Sequence, residues 1–241
     1  MIITIDGPSI SGKTSIARML ARHLHFDYLS SGSLFRGLSY ILVHQFGYHE
    51  SQLTHPKIND IETALMPGNF EYRYTREIGE QLLWQGKDIT LLLADQKIGK
   101  YASIIGTNQD ARNALAQLQH KIADAKDIVT DGRDAGSIIF PNADIKFFLT
   151  ASLEVRADRW QKNQKEIGRD ISEEQAIQEI VERDERDSNR AIAPLRIPEH
   201  AIIIDSSALT KDQVLEKLLH EVQKKAAYKT AASRDISDIN F

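Results

Sequence analysis

The run Gly7-Pro8-Ser9-Ile10-Ser11-Gly12-Lys13-Thr14 fits the pattern G-x-x-x-x-G-K-[ST], and no other stretch constrains this chain so tightly. Ahead of it lies Ile2-Ile3-Thr4-Ile5-Asp6, a β-branched segment that reads as a buried strand. Behind it, Ser15 to Leu24 places apolar residues at 16, 19, 20 and 24, the spacing of one helix face. A strand, a glycine turn and a helix start gather backbone N–H groups and the positive end of a helix around one point. That is an anion site suited to a polyphosphate. All eight residues from Gly7 to Thr14 would face ATP. Lys13 would reach the β- and γ-phosphates, and the Thr14 hydroxyl would hold Mg²⁺.

The rest of the chain alternates strand-like and helix-like segments, the pattern of a parallel sheet covered by helices. Expected strands are 26–29, 127–130, 144–149 and 201–204; expected helices are 34–46, 108–123, 152–166, 172–190 and 210–226. Residues 54–106 break this rhythm. Asn69 to Thr75 alternates with period two, and Glu80 to Thr90 reads as a hairpin around Gly86-Lys87, so an inserted, mainly antiparallel subdomain is expected there. Residues 161–170, polar and basic between two helices, read as a small mobile lid. The expected core is therefore 1–53 with 107–228, and the tail beyond about 224 loses its apolar period and is expected to lose order by 229–241.

Composition narrows the class of partner. A net charge of −4 argues against non-specific nucleic-acid binding. No apolar run approaches membrane-spanning length, and a strand starting at residue 2 predicts no signal peptide. With no cysteine there are no disulfides or thiolate metal sites, which fits a cytoplasmic protein. A monomer is expected.

Three further constellations carry chemistry. Ser31-Gly32-Ser33-Leu34-Phe35-Arg36 follows the second expected strand and reads as a helix start with Arg36 one turn in, either a phosphate ligand or a solvated charge. Asp131-Gly132-Arg133-Asp134 ends another strand. Asp131 could hold Mg²⁺ through water and Arg133 could grip phosphate oxygens; a plain Asp-Gly turn is the alternative. On a helix, Arg183, Asp187 and Arg190 share one face, either as an exposed ion-pair ladder or as a clamp on a charged substrate.

Taken together, these stretches resemble the cytidylate kinases, the long bacterial form of the nucleoside-monophosphate kinases. The matching segments are ITIDGPSISGKT, SSGSLFR, GKDIT, DGRDAGSIIFPNADIKFFLTAS, ERDERDSNRAIAPL and IDSSALT, running from residue 2 to about 210. The resemblance implies an α/β fold of P-loop NTPase type, with a parallel sheet flanked by helices, an inserted antiparallel monophosphate-binding subdomain and a lid. It implies that Arg36, Arg133 and Arg190 grip the acceptor phosphate beside Ser31. Ser103, Arg112 and Asp134 would read cytosine, and Arg183 and Asp187 would hold the ribose. Arg156 and Arg159 are similar to lid arginines that close on ATP, and Lys13, Arg133, Arg159 and Arg190 would carry the catalysis. The implied substrates are ATP and CMP or dCMP. Four positions depart from the family pattern: Ser30 for Asp, Phe35 for Tyr, Ala94 for Arg and Trp160 for Arg. On the residues alone, a kinase acting on UMP, AMP or a non-nucleotide acceptor, or an ATP-sensing module, stays open.

Overall fold

The computed structural model describes residues 1–237. In chain order the elements are β1 (Ile2–Asp6), α1 (Lys13–Leu24), β2 (Asp27–Ser30), α2 (Ser31–His44), α3 (Ile58–Ala64), β3 (Phe70–Thr75), β4 (Gly79–Trp84), β5 (Lys87–Asp88) and α4 (Gln96–Ile105). There follow α5 (Gln109–Ala123), β6 (Ile128–Gly132), β7 (Ile145–Thr150), α6 (Leu153–Glu166), α7 (Glu173–Asn189), β8 (Ile202–Asp205) and α8 (Lys211–Ser237).

Five strands form one parallel sheet in the order β2-β6-β1-β7-β8. Helices cover both faces, so the central strands are apolar throughout: Ile3, Ile5, Ile128 and Val129 have no solvent exposure. The chain moves to one side of β1 for β2 and β6, then to the other for β7 and β8. The carboxyl end of β1 is therefore the switch point, where a crevice opens.

The inserted region departs from expectation. Its three strands are antiparallel, but they share the segment with α3 and α4, which hold slightly more residues than the strands do. The signal for α4 was present in Ile98, Tyr101, Ala102 and Ile105, an i, i+3, i+4, i+7 stripe turned to the core. The β4–β5 turn sits one residue earlier than expected, on Gln85 and Gly86, whose φ values of 48° and 77° suit the two central positions of a tight hairpin. The hairpin packs hard on α2. A Cβ at Gly37 would lie 2.6 Å from Leu82 and 2.7 Å from the Phe70 ring, so only glycine fits.

The lid expectation also changes. Residues 161–166 complete α6, leaving a short link to α7, whose start is fixed by a Ser172–Gln175 capping box. Ala157, Ala176 and Ile180 bind α6 to α7 in a small apolar cluster. The backbone of α8 stays helical to Ser237, past the point where the lost apolar period suggested fraying. The end of the expected tail, 238–241, lies outside the described residues. Among the described residues, no helix is long and apolar enough to cross a membrane.

Candidate active site

The glycine run leaves β1 at the switch point and opens α1. Gly7 sits against the neighbouring strand, where a Cβ would come within 2.1 Å of the Leu149 carbonyl oxygen. Gly12 is the helix cap with φ 93°, and α1 has neither a side-chain cap nor an acidic residue in its first turn. Its amide donors and its dipole are thus left for an anion. Lys13 is buried, and its Nζ donates to the Pro8 carbonyl at 2.7 Å. Burial first, then the nearby Arg133, holds its ammonium well below the usual lysine range.

The expected metal pair is brought together. The Thr14 hydroxyl donates to Asp131 Oδ2 at 2.7 Å, and the Tyr28 hydroxyl orients Asp131 through Oδ1 at 2.6 Å. One neutral and one anionic oxygen, fixed beside the phosphate loop, are hard donors suited to Mg²⁺. Asp6, at the end of β1, does different work. Its two oxygens accept the N–H groups of Ala135 and Gly136 at 2.8 and 2.7 Å, tying the Asp131–Asp134 segment to the loop strand. Burial raises its carboxyl to about 6.

A second cluster, of arginines and carboxylates, is built from side chains that lie far apart in sequence. Asp187 accepts from Arg133 Nε at 2.8 Å and lies 3.9 Å from Arg190. Burial would raise the Asp187 carboxyl, but Arg133 and Arg183 overcome it and hold it below the usual range. Asp134 is paired with Arg112 and lies 3.5 Å from Arg190. Arg36 donates to the Leu93 carbonyl, and Arg186 Nη1 donates to Ser103 Oγ at 3.1 Å. Two guanidinium nitrogens, Arg183 Nε and Arg190 Nη2, are buried without a hydrogen-bond partner. Burial lowers both groups to about 10, helped at Arg183 by Arg133 and at Arg190 by Arg112. Arg190 Nη2 has only the Asp134 carboxylate at 3.5 Å, and buried donors that make no hydrogen bond, crowded by like charge, favour an anion.

A cleft of about 730 Å³ joins the two ends. Lys13, Thr14, Ser31, Arg36, Ser103, Arg112, Asp131, Arg133, Asp134, Arg159, Arg183, Asp187 and Arg190 all line it. So do Ile10, Ser11 and Gly12, whereas Gly7, Pro8 and Ser9 do not. Among the described residues, its wall carries ten lysine and arginine side chains against five carboxylates, in a chain whose net charge is −4. That inversion focuses positive potential where the chain as a whole has none to spare. Arg159 lies over the loop, donating to the Ser11 carbonyl at 3.2 Å and the Ser206 carbonyl at 2.9 Å. Arg156 does not reach the cleft. It is buried behind the loop, paired with Asp184 and donating to the Ser9 carbonyl at 3.3 Å and the Ala151 carbonyl at 3.1 Å.

The departures from the family pattern find local reasons. Ser30 Oγ caps α2 by accepting the Ser33 N–H at 3.2 Å. The Phe35 ring faces the Arg112 guanidinium at 5.3 Å. Trp160 Nε1 donates to Glu179 at 2.7 Å, and Gln96 on α4 donates to the same oxygen at 3.2 Å, so one carboxylate clasps α6, α7 and α4 together. Ala94 lines the cleft beside Leu93. Asp6, Tyr28, Glu179 and Asp184 were not singled out from sequence; only Asp6, a carboxylate ending an apolar strand just before Gly7, left a readable trace.

A parallel sheet with a phosphate loop at its switch point, facing a basic cleft, defines a P-loop kinase. The sequence profile described as cytidylate kinase matches residues 3–224, and the chain belongs to the cytidylate kinase family. That membership makes it an ATP-dependent nucleoside-monophosphate kinase, a class that works with a divalent metal. The cytidylate kinase of Thermotoga sp. (strain RQ2) is 36% identical over 223 residues, 92% of this chain and 97% of that protein. The cytidylate kinase of Azotobacter vinelandii (strain DJ / ATCC BAA-1303) is 38% identical over 222 residues, 92% of this chain and 95% of its own length. Among solved structures, an uncharacterized protein from Eubacterium ventriosum ATCC 27560 covers 93% of this chain and 98% of its own at TM-score 0.54 and 14% identity, a likeness of fold alone.

Proposed function

We propose that the chain transfers the γ-phosphoryl group of ATP to CMP, and to dCMP, giving ADP and CDP or dCDP. The observation that carries this reading is a pair of buried guanidinium nitrogens that make no hydrogen bond, Arg183 Nε and Arg190 Nη2, in one cleft with Lys13 and Arg133. The attacking atom is an oxygen of the acceptor phosphate. With a second pKa near 6, that phosphate is already mostly ionised at neutral pH, so no general base is needed. The work is to bring two polyanions into line and neutralise their charge. Lys13 and Arg159 serve the donor phosphates with the loop from Gly7 to Thr14. Arg36, Arg133 and Arg190 hold the acceptor phosphate beside Ser31, and Arg183 and Asp187 hold the ribose. Thr14 and Asp131, the latter through water, would hold Mg²⁺, which when bound offsets charge on the phosphates. The lid helices exclude water.

Base choice rests on Asp134 with Arg112 and Ser103. A carboxylate accepts a hydrogen bond from the cytosine amino group, whereas uracil presents an oxygen that Asp134 repels. The reading includes a monomer in the cytoplasm that acts on small nucleotides and engages neither nucleic acid nor membrane. A coupled ADP-release assay with CMP, dCMP, UMP, AMP and shikimate tests it. Turnover with CMP and dCMP is expected to exceed that with UMP by about 10²-fold or more, since one well-made polar contact discriminates by about 1–3 kcal/mol and a repulsive mismatch adds to it. Asp134→Ala should narrow that gap. An unchanged preference in the variant would place base reading elsewhere, and ATP binding without acceptor-dependent turnover would leave only a nucleotide sensor.

A further inference from the structure

Ser9 is the third residue of the phosphate loop, yet its main chain does not face the cleft. Its N–H and its hydroxyl both donate to Asp184 Oδ1, at 2.9 and 2.7 Å. Its carbonyl accepts from Arg156 Nη1 at 3.3 Å, and the same guanidinium nitrogen is paired with Asp184 Oδ2. Arg156 Nε is held in turn by the Ala151 carbonyl at 3.1 Å. Three side chains from three elements thus close a ring that fixes both backbone hydrogen-bonding groups of a single loop residue. Asp184 comes from α7 and Arg156 from α6, the two helices of the lid.

The next residue shows why such a brace matters. Ile10 has φ 56°, a left-handed backbone that a β-branched side chain resists. Ile10 also packs against the apolar cluster of Ala157, Ala176 and Ile180 between α6 and α7. A strained crest held on one side by a half-buried carboxylate and on the other by apolar packing keeps its shape because the helices α6 and α7 impose it. Gly12 and the uncapped start of α1 then present their donors at fixed positions.

We propose that Asp184, acting with Arg156, is a positioning residue that holds the phosphate loop in its strained, anion-ready shape and couples the lid helices to it. The pair touches no substrate; its effect falls on the donor nucleotide and not on the acceptor. The inference takes from the functional reading only that the loop binds the triphosphate.

Binding to the full-length chain tests it, with ATP, inorganic tripolyphosphate and CMP titrated separately by calorimetry. Asp184→Ala is expected to weaken ATP and tripolyphosphate alike by about tenfold or more, the effect of losing a charge-assisted support to two donors, with CMP affinity changed less than about twofold. Asp184→Asn keeps an acceptor for Ser9 and should recover most of the loss. Arg156→Met should weaken ATP in the same direction, and the double variant Asp184→Ala with Arg156→Met should be no worse than the worse single one, because both break one ring. Unchanged triphosphate affinity in Asp184→Ala, or equal weakening of CMP and ATP, would overturn the proposal. Should Asp184→Ala not fold, Asp184→Asn and Arg156→Met decide on the same criterion. A wild-type chain that binds tripolyphosphate but not CMP would count against the proposed acceptor, and the brace would still be judged on the triphosphate data alone.

Discussion

On the proposed reading, the donor end of the cleft is one contiguous stretch, Gly7 to Thr14, whose binding groups are backbone amides set by a turn and a helix start. On the same reading, the acceptor end is assembled from α2, α5, the segment after β6 and α7, and its binding groups are guanidiniums held apart by carboxylates. Arg133 is oriented by Asp187, and Arg112 and Arg190 by Asp134. Backbone sites tolerate changes of side chain unless the turn itself is blocked. Side-chain sites fail one interaction at a time, and each failure leaves a buried partner uncompensated. The two halves should therefore respond differently to substitution.

The largest effect is expected at the donor end, where Lys13 is the main side chain that contributes charge. Lys13→Ala should lower kcat by about 10²- to 10³-fold, the loss typical of one preorganised donor in a dry site, with CMP affinity little changed. ADP release at saturating substrates measures it. A matching loss of CMP affinity would mean that the two ends are not separable.

Asp6 joins the halves from beneath, and its signature is in stability. Its folded carboxyl sits at about 6 against an ordinary value of 3.8, so the folded state binds the proton more tightly. Stability from this group is then fully present below about pH 4 and is lost as pH rises through 6, by about 3 kcal/mol for a shift of this size. Asp6→Asn cannot ionise. Urea unfolding across pH 4 to 7 should show the wild type losing stability relative to the variant over that window, and parallel curves would place Asp6 outside this role.

At the acceptor end, Arg190→Ala should cut kcat/KM for CMP by about 10²-fold, since a charged hydrogen-bonding partner to a buried anion is worth about 1.5–3 kcal/mol. ATP affinity should stay within about threefold. Initial rates with each substrate varied in turn separate the two. The smallest effect is expected at the clasp. Glu179→Gln weakens the hold of Trp160, Gln96 and Arg169 on one carboxylate, and a half-exposed polar contact of this kind is worth about 1 kcal/mol. The ratio of ATP hydrolysed to CDP formed should rise a few-fold, reporting water entry under a looser lid.

The same contrast explains what could be read in advance. The loop, β1 and α1 were legible because their determinants are local: glycines at fixed spacing, a β-branched strand and one helical stripe. The parallel sheet followed from alternation, with strand ends shifted by about one residue. The helices α3 and α4 were missed because a period-two stretch nearby suggested sheet throughout the insert. Arg156 was assigned to ATP by resemblance, yet its partner Asp184 lies 28 residues away on another helix and draws it behind the loop. Pairings of that kind, like Tyr28 with Asp131 or Trp160 with Glu179, depend on how helices dock, and no spacing in the chain records them.

The central claim is that one basic cleft holds two nucleotides phosphate to phosphate. Titration with a cytidine and an adenosine joined through their 5′ ends by an oligophosphate bridge tests it most directly. One molecule should bind per chain, about 10²-fold or more tighter than ATP alone, because linking makes the second contact intramolecular, and it should exclude both ATP and CMP. Affinity no better than that of ATP, or two bound molecules per chain, would contradict the account.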